Sequence, residues 1–286
     1  MRCLFWNVGR REPLDEIAGL VAEFRPEVLI LAECVIPPVR IVERLNSEGI
    51  ALYRLPFGLS QSFILIAALP LDGVSPLYDA PGVSIRHLRP PLGDSVLLTA
   101  LHLPSKLHLS AEEQSLLASR VMRQIERCEQ EVDHQRTVVI GDFNMNPFET
   151  GLVNSEGFHA MMSRDIVEKG SRVVSGGRRH FFYNPMWSLM GDCSAGPPGT
   201  YYYAGSSPMT LFWNTFDQVL LRPDLATRFR PGDVRVLDVS GDTALLTRHG
   251  VPRREISDHL PILLTLHLEG VADGDQEPLG SAARER

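Results

Sequence analysis

Six stretches of the 286-residue chain carry side chains able to hold a hard cation or move a proton, and most of them end an apolar run. Phe5-Trp6 stops on Asn7, Leu31-Ala32 on Glu33, and Ala100-Leu101 on His102. Ile140-Gly141 leads into Asp142-Phe143-Asn144, Asp217 opens the run that follows Phe216, and Ser257-Asp258-His259 precedes the last apolar run. Each is ordinary when taken singly. Gly-Asp-Phe-Asn and Ser-Asp-His are turn compositions, because Asp and Asn bond their own backbone and tolerate left-handed geometry. Asn7 and Asp217 alone suit strand ends, Glu33 a solvated face, and His102 a core histidine with one nitrogen satisfied. Their order is what independent turns would not produce: Asn, Glu, His, Asp-x-Asn, Asp and Asp-His, each at a different strand edge.

Carboxylate and amide oxygens without a thiolate suit a hard cation, so the set favours Mg2+ or Mn2+ over zinc. Cys3, Cys34, Cys128 and Cys193 form no C-x-x-C pair and read as reduced, mostly buried thiols. Two histidines and further Asp and Asn groups supply what hydrolysis of a phosphate ester requires. Water must be oriented, charge developing on the phosphorus oxygens neutralised, and the leaving oxygen helped away.

The elements that must position these groups are short runs rich in Val, Ile and Leu at residues 2–6, 27–32, 63–68, 96–101, 137–140, 216–221 and 262–267. They read as strands. A helix is expected from Ser110 to about Val132, with Leu117, Val121, Ile125, Cys128 and Val132 on one stripe and Ser110 and Glu113 at capping-box spacing. A second helix is expected over residues 13–24. Residues 146–215 read as a loop-rich insert of Gly, Pro, Ser and aromatics, a length of irregular chain more often functional than idle.

With 44% hydrophobic and 22% charged residues the composition excludes disordered, collagenous and coiled-coil classes. Residues 1–268 are expected to form a single domain, followed by a disordered acidic tail at 269–286. Net charge is -7, and the tail holds five acids against two arginines, which leaves the body at only -4. No basic excess announces a protein that coats long nucleic acid, although divalent cations can supply positive charge locally. The first residues form no basic-then-apolar signal, and no apolar run approaches the roughly 18 residues of a membrane span, so a cytoplasmic location is expected.

Gly141-Asp142-Phe143-Asn144 and Ser257-Asp258-His259, with Trp6-Asn7, Glu33 and Phe216-Asp217, resemble the endonuclease/exonuclease/phosphatase, or DNase I-like, superfamily over residues 1–268. The resemblance implies an α/β (α+β) fold: a four-layer αββα sandwich of two mixed β-sheets flanked by helices, with the active site in a cleft at one edge. By the same resemblance Glu33 holds the metal with Asn7 and Asp258. Asp142 orients and deprotonates water, and Asn144 bonds that water or a phosphate oxygen. His259, oriented by Asp217, donates to the phosphate, and His102 matches the histidine of the DNase-like branch. Two positions depart from the family pattern: Ala32 precedes Glu33 where glutamine is common, and Ser60-Gln61-Ser62-Phe63 stands where a Gly-rich strand is common.

The insert places Arg172, Arg178, Arg179 and His180 near Tyr183 and Trp187, followed by Tyr201, Tyr202, Tyr203 and Trp213. Arg178, Arg179, Tyr202, Trp213 and Arg253 are the candidates for gripping a phosphate backbone and stacking on bases; a small satellite core with an arginine rim fits the same residues. The activity expected is a divalent-metal-dependent nuclease acting on nucleic acid. A phosphatase or phosphodiesterase for a small nucleotide, phosphoinositide or lipid headgroup keeps the same chemistry, and a catalytically inactive interaction module on the same scaffold is the alternative of another class.

Overall fold

Along β1 (Arg2–Asn7), Cys3 and Phe5 face one way and Leu4 and Trp6 the other, and all four are buried. A strand that is apolar on both sides needs a cover on each side. The computed structural model, which describes residues 1–269 except 48, 50, 56–61, 108 and 207, supplies both covers. The expected tail beyond residue 269 and Ser60-Gln61 lie outside the described residues.

One sheet has the order β15 (Val234–Val236), β18 (Ile262–Thr265), β1, β2 (Val28–Ala32), β3 (Phe63–Ala67). The other runs β4 (Val74–Ala80), β5 (Val83–Leu88), β6 (Val96–His102), β7 (Thr137–Asp142), β14 (Asp217–Leu221), β11 (Phe182–Tyr183), β8 (Ala160–Met161). Both are mixed: β1 pairs parallel to β2 and antiparallel to β18, while β6 pairs parallel to β7 and β14 antiparallel to it.

Cys3, Phe5, Val28 and Ile30 of the first sheet meet Leu98, Ala100, Val138, Ile140, Val219 and Leu221 of the second in the central core. The opposite face of the first sheet, Leu4, Trp6, Leu29 and Leu31, is covered by Ile17, Leu20 and Val21 of α1 (Leu14–Phe24) and by Ile41 and Leu45 of α2 (Pro38–Asn46). The second sheet's outer face, with Leu97, Leu101, Val139 and Leu220, is covered by Val121, Ile125 and Cys128 of α3 (Ala111–Glu131). This is the four-layer αββα sandwich, and α3 opens on the Ser110–Glu113 capping box.

The seven expected strands all form, and the chain adds others. β4 and β5 carry mixed polar patterns, and β4 bulges between Pro76 and Tyr78, which hides the period-2 signal. The insert holds short elements: α4 (Thr150–Val153), α5 (Arg164–Val167), a hairpin of β9 (Ser171–Val174) and β10 (Gly177–His180), and a second hairpin of β12 (Tyr201–Tyr203) and β13 (Phe212–Asn214). A third short helix, α6 (Pro223–Ala226), follows β14, and β16 (Val239–Ser240) pairs with β17 (Thr243–Ala244). No helix among the described residues is long and apolar enough to cross a membrane.

Candidate active site

Alternation along the strands decides where the polar residues go. Odd positions of β1 face the central core, so after Cys3 and Phe5 the next inward side chain is Asn7. Even positions of β6 and β7 do the same, which makes His102 the inward residue after Ala100 and Asp142 the one after Ile140. On β14, Val219 and Leu221 face the core, and the inward position before them is Asp217. Register then aligns the three strand ends of the second sheet, His102 opposite Asp142 on the parallel pair and Asp217 opposite Asp142 on the antiparallel pair, and Asn7 reaches Asp142 from the first sheet. The candidate site is therefore the polar rim of the inter-sheet core.

Gly141 lets these strands meet. At φ +155°, a Cβ on it would collide with the Leu101 carbonyl on the adjacent strand. Gly9 has a similar role, since at φ +55° a methyl there would lie 2.7 Å from Asp258 Oδ1.

Asp142 is buried, and its carboxylate gathers donors from three directions. The Asn144 N–H donates to Oδ1 at 2.8 Å, while Asn7 Nδ2 and Asn144 Nδ2 donate to Oδ2 at 3.1 and 3.2 Å. Asn144 stands at φ +50°, the left-handed geometry that its Gly-Asp-Phe-Asn turn requires, and its amide also donates to the Leu103 carbonyl at 2.8 Å. Burial, reinforced by the Asp217 charge, pushes the Asp142 carboxyl up to about 6 against the pull of His259 and His102.

Asp217 Oδ2 lies 2.8 Å from His259 Nδ1, and the imidazole turns its Nε2 toward Asp142 Oδ2 at 3.9 Å. Burial works against charge on His259, but Asp217, Asp142 and Asp258 outweigh it and lift the ring to about 10. Ser257 fixes the approach: its hydroxyl donates to the Asn7 carbonyl at 2.7 Å and accepts from the His259 N–H at 3.0 Å. Trp6 Nε1 donates to the His259 carbonyl at 2.9 Å, tying the last turn to the first strand.

Glu33 follows β2 at φ +49°, and its Oε1 lies 3.2 Å from His102 Nε2. That hydrogen bond, opposed by burial and helped by the His102 charge and Asn7, holds the Glu33 carboxyl down at about 2. His102 titrates above its ordinary range: burial resists, and Glu33 and Asp142 prevail. Arg10, absent from the sequence candidates, reaches Glu33 Oε2 at 3.6 Å.

The donor set fits a hard cation. Glu33 and Asp142 offer carboxylate oxygens on either side of the Asn7 amide, which turns its Nδ2 to both and accepts from the Gly9 N–H through Oδ1, and Asp217 Oδ1 is buried without a hydrogen-bond partner among the described residues. Asp142, Asp217 and His259 also lie within 4.8 Å of one another. A protonated imidazole donates no lone pair, however, so the half-open Glu33 with Asn7 beside it is the better ion holder. Asp258 is half-buried against Gly9 and contributes charge to His259.

The substrate candidates divide. Tyr202 and Trp213 face each other across the β12–β13 hairpin, ring centroids 5.4 Å apart, with Trp213 packed on the outer core of the first sheet. The ring that reaches the site is Tyr201, 4.6 Å from His259. Arg178 and Arg179 lie elsewhere. Arg178 borders a cavity of about 450 Å³ with Glu126, Asp133 and His134 at the C-terminal end of α3, and Arg179 pairs with Glu156 at 2.6 Å. That end adjoins Thr137, where β7 begins, whereas Asp142 is where it ends, about 16 Å away at the rise of a strand. Arg253 pairs with Glu255 at 2.8 Å. Asn146, which donates to Asn214 Oδ1 at 3.0 Å, and Lys106, which pairs with Glu149 and lies 5.8 Å over the Phe216 ring, border the rim and were not among the sequence candidates. The second asparagine of Asn144-Met145-Asn146 was the available signal for Asn146.

Solved structures that share this fold include the following three. A mannosyl-6-phosphatase from Bacteroides thetaiotaomicron aligns with TM-score 0.59 at 15% identity, covering 93% of this chain and 99% of its own. An endonuclease/exonuclease/phosphatase family protein from Leptotrichia buccalis gives 0.54 at 11%, covering 93% and 99%. TDP2 from D. rerio, complexed with a single-strand DNA product, gives 0.53 at 15%, covering 93% and 98%. No curated protein matches in sequence. The sequence pattern of the Endonuclease/Exonuclease/phosphatase family spans residues 4–259, from the third residue of β1 to the histidine that Asp217 holds, and this chain belongs to that family.

Proposed function

We propose that the protein is a divalent-metal-dependent phosphodiesterase that hydrolyses nucleic acid by in-line attack of water. The observation that carries this reading is the convergence of Asn7, Glu33, His102, Asp142, Asn144, Asp217 and His259 at one rim. Mg2+ or Mn2+, when bound, supplies positive charge to the phosphate oxygens and lowers the pKa of water.

The chain's own groups do the rest. Asp142, raised by burial, is poised to take a proton near neutral pH, while Asn144 and Asn7 hold its carboxylate in one orientation. His259 gives Nδ1–H to Asp217, which leaves Nε2–H to donate to a phosphate oxygen as charge develops there. His102, raised above its ordinary range by Glu33 and Asp142 against burial, is placed to give a proton to the departing oxygen. Glu33 would provide carboxylate oxygen for the cation, with the Asn7 amide beside it orienting that carboxylate.

The named structural relatives include a sugar phosphatase and a protein holding a DNA product, so the fold accommodates both ester classes. Exposed aromatic rings on the hairpin beyond Tyr201, Tyr203 and Phe212, favour nucleic acid. The test is a panel of single- and double-stranded DNA, single-stranded RNA, cyclic dinucleotides, nucleoside phosphates and inositol phosphates, each with Mg2+, Mn2+ or EDTA. Metal-dependent cutting of polynucleotide is expected. Release of phosphate from small esters alone would overturn the nuclease reading, and silence across the panel would return the inactive interaction module.

A further inference from the structure

Near its start, α3 puts a polar residue on its buried stripe. Gln114 precedes Ala118, Val121, Met122 and Ile125 on the face that covers the second sheet, and it is 2% exposed. Its Oε1 is buried without a hydrogen-bond partner among the described residues. An apolar side chain of the same length would avoid that desolvation, so packing does not account for a carboxamide there.

The other end of the amide does account for it. Gln114 Nε2 donates to the Pro104 carbonyl at 3.3 Å and to the Asn144 carbonyl at 3.2 Å. Pro104 lies two residues past His102 and Asn144 two residues past Asp142, the pair that the β6–β7 register sets opposite each other. Beyond that pair the ladder keeps one backbone rung, from the Leu103 N–H to the Asp142 carbonyl at 2.9 Å. It goes no further, because Pro104 has no N–H and Asn144 turns away at φ +50°. Gln114 bridges the two segments where the backbone no longer can. The next carbonyl, of Met145, is held by a second buried amide, Gln218 Nε2 at 2.5 Å, whose Oε1 accepts from Asn184 Nδ2 at 2.8 Å. Consecutive carbonyls of the turn are thus gripped from two different elements.

We infer that Gln114 is a positioning residue for the phosphodiester reaction: its amide sets the separation between His102, on the side of the leaving oxygen, and the Asp142–Asn144 turn, on the side of the attacking water. The inference rests on the phosphodiesterase reading above and deepens it. In-line displacement puts the entering and leaving oxygens on opposite sides of phosphorus, so a shift of one segment against the other misaligns one of the two. Satisfying both carbonyls at once takes two N–H groups on one nitrogen, which glutamine supplies and glutamate or methionine does not.

The test compares the full-length wild type, Gln114→Met and Ser110→Ala, each with Mg2+, on two esters. Thymidylyl-thymidine has a leaving oxygen that needs a proton, and the p-nitrophenyl ester of thymidine 5′-phosphate has one that does not. Gln114→Met should lose at least about tenfold in kcat on the dinucleotide with KM within about twofold, and lose less on the p-nitrophenyl ester, where no proton is required of His102. Ser110→Ala removes the cap of the same helix, so it should lower the melting temperature and leave both kcat values within about twofold. In Gln114→Glu a carboxylate meets both carbonyls at neutral pH, whereas the neutral acid offers one donor, so activity relative to the wild type should rise as pH falls.

Wild-type kcat in a folded Gln114→Met protein, equal losses on the two esters, or the same loss in Ser110→Ala would overturn the proposal. So would a pH-independent activity ratio for Gln114→Glu, a comparison that also serves if the methionine variant does not fold. Amide hydrogen exchange needs no turnover and separates the two levels: the Leu103 and Asn144 amides should exchange faster in Gln114→Met than in Ser110→Ala. If the dinucleotide is cut but these amides exchange equally in the two variants, the role of Gln114 alone fails, and if the wild type cuts neither ester, the phosphodiesterase reading fails.

Discussion

His259 Nδ1 lies 2.8 Å from Asp217 Oδ2, joining two residues 42 positions apart, one at the start of a core strand and one in the turn before the last strand. The pair is buried, and it fixes which imidazole nitrogen faces the cleft. Replacing Asp217 by alanine leaves a buried imidazole without its counter-charge. A loss of roughly 3 kcal/mol in stability is expected, together with loss of activity from a ring that no longer holds its orientation; chemical denaturation and kcat at saturating substrate measure the two.

The same pair sets a pH dependence of stability. The folded protein holds the His259 ring up at about 10, so the stability from this proton is fully present below the ordinary histidine range near 6.5 and is lost as pH rises toward 10. Melting temperature should fall across that window in the wild type. His259→Gln should flatten this part of the profile, and an unchanged slope would contradict the assignment.

Glu129 and Arg222 form a second buried pair, at 2.8 and 3.0 Å, with Thr137 donating to Glu129 and Arg222 lying over the Phe182 ring. They sit at the end of the sheet away from Asp142. Arg222→Ala should therefore lower stability by about 3 to 5 kcal/mol and leave kcat/KM unchanged at a temperature where the variant is folded, as urea titration and steady-state kinetics would show.

Arg178 and Arg179 lie at that same distant end, so substituting both by serine should leave oligonucleotide KM within about twofold. A tenfold rise would mean that substrate reaches much further across the second sheet than the rim geometry allows.

The inter-sheet rim was legible because strand alternation and end position are both written in the sequence. Asn7, His102 and Asp142 are each the next inward residue after a run of buried apolar ones, and two of those runs are β1 and β7. What escaped has physical reasons. β4 is interrupted by Pro76 and a bulge, and α2, led by Pro37 and Pro38, is nine residues long with only Ile41 and Leu45 buried. In Tyr201-Tyr202-Tyr203 the aromatic types are identical, so only the partner strand reveals which ring faces His259. Arg10 depends on a left-handed turn after Gly9 that composition alone does not specify. Arg178 and Arg179 are close in sequence to site aromatics but belong to a hairpin that folds to the other end of its sheet.

The most direct measurement is the time course of cutting of an end-labelled single-stranded DNA by the wild type and by Asp142→Ala, each with Mg2+ and with EDTA, alongside a thermal melt of both proteins. The account requires metal-dependent cutting by the wild type and at least a hundredfold loss in the variant. The melt of the variant should be equal or higher, because removing a buried carboxylate ends its desolvation cost. Undiminished cutting by a folded Asp142→Ala protein would contradict it.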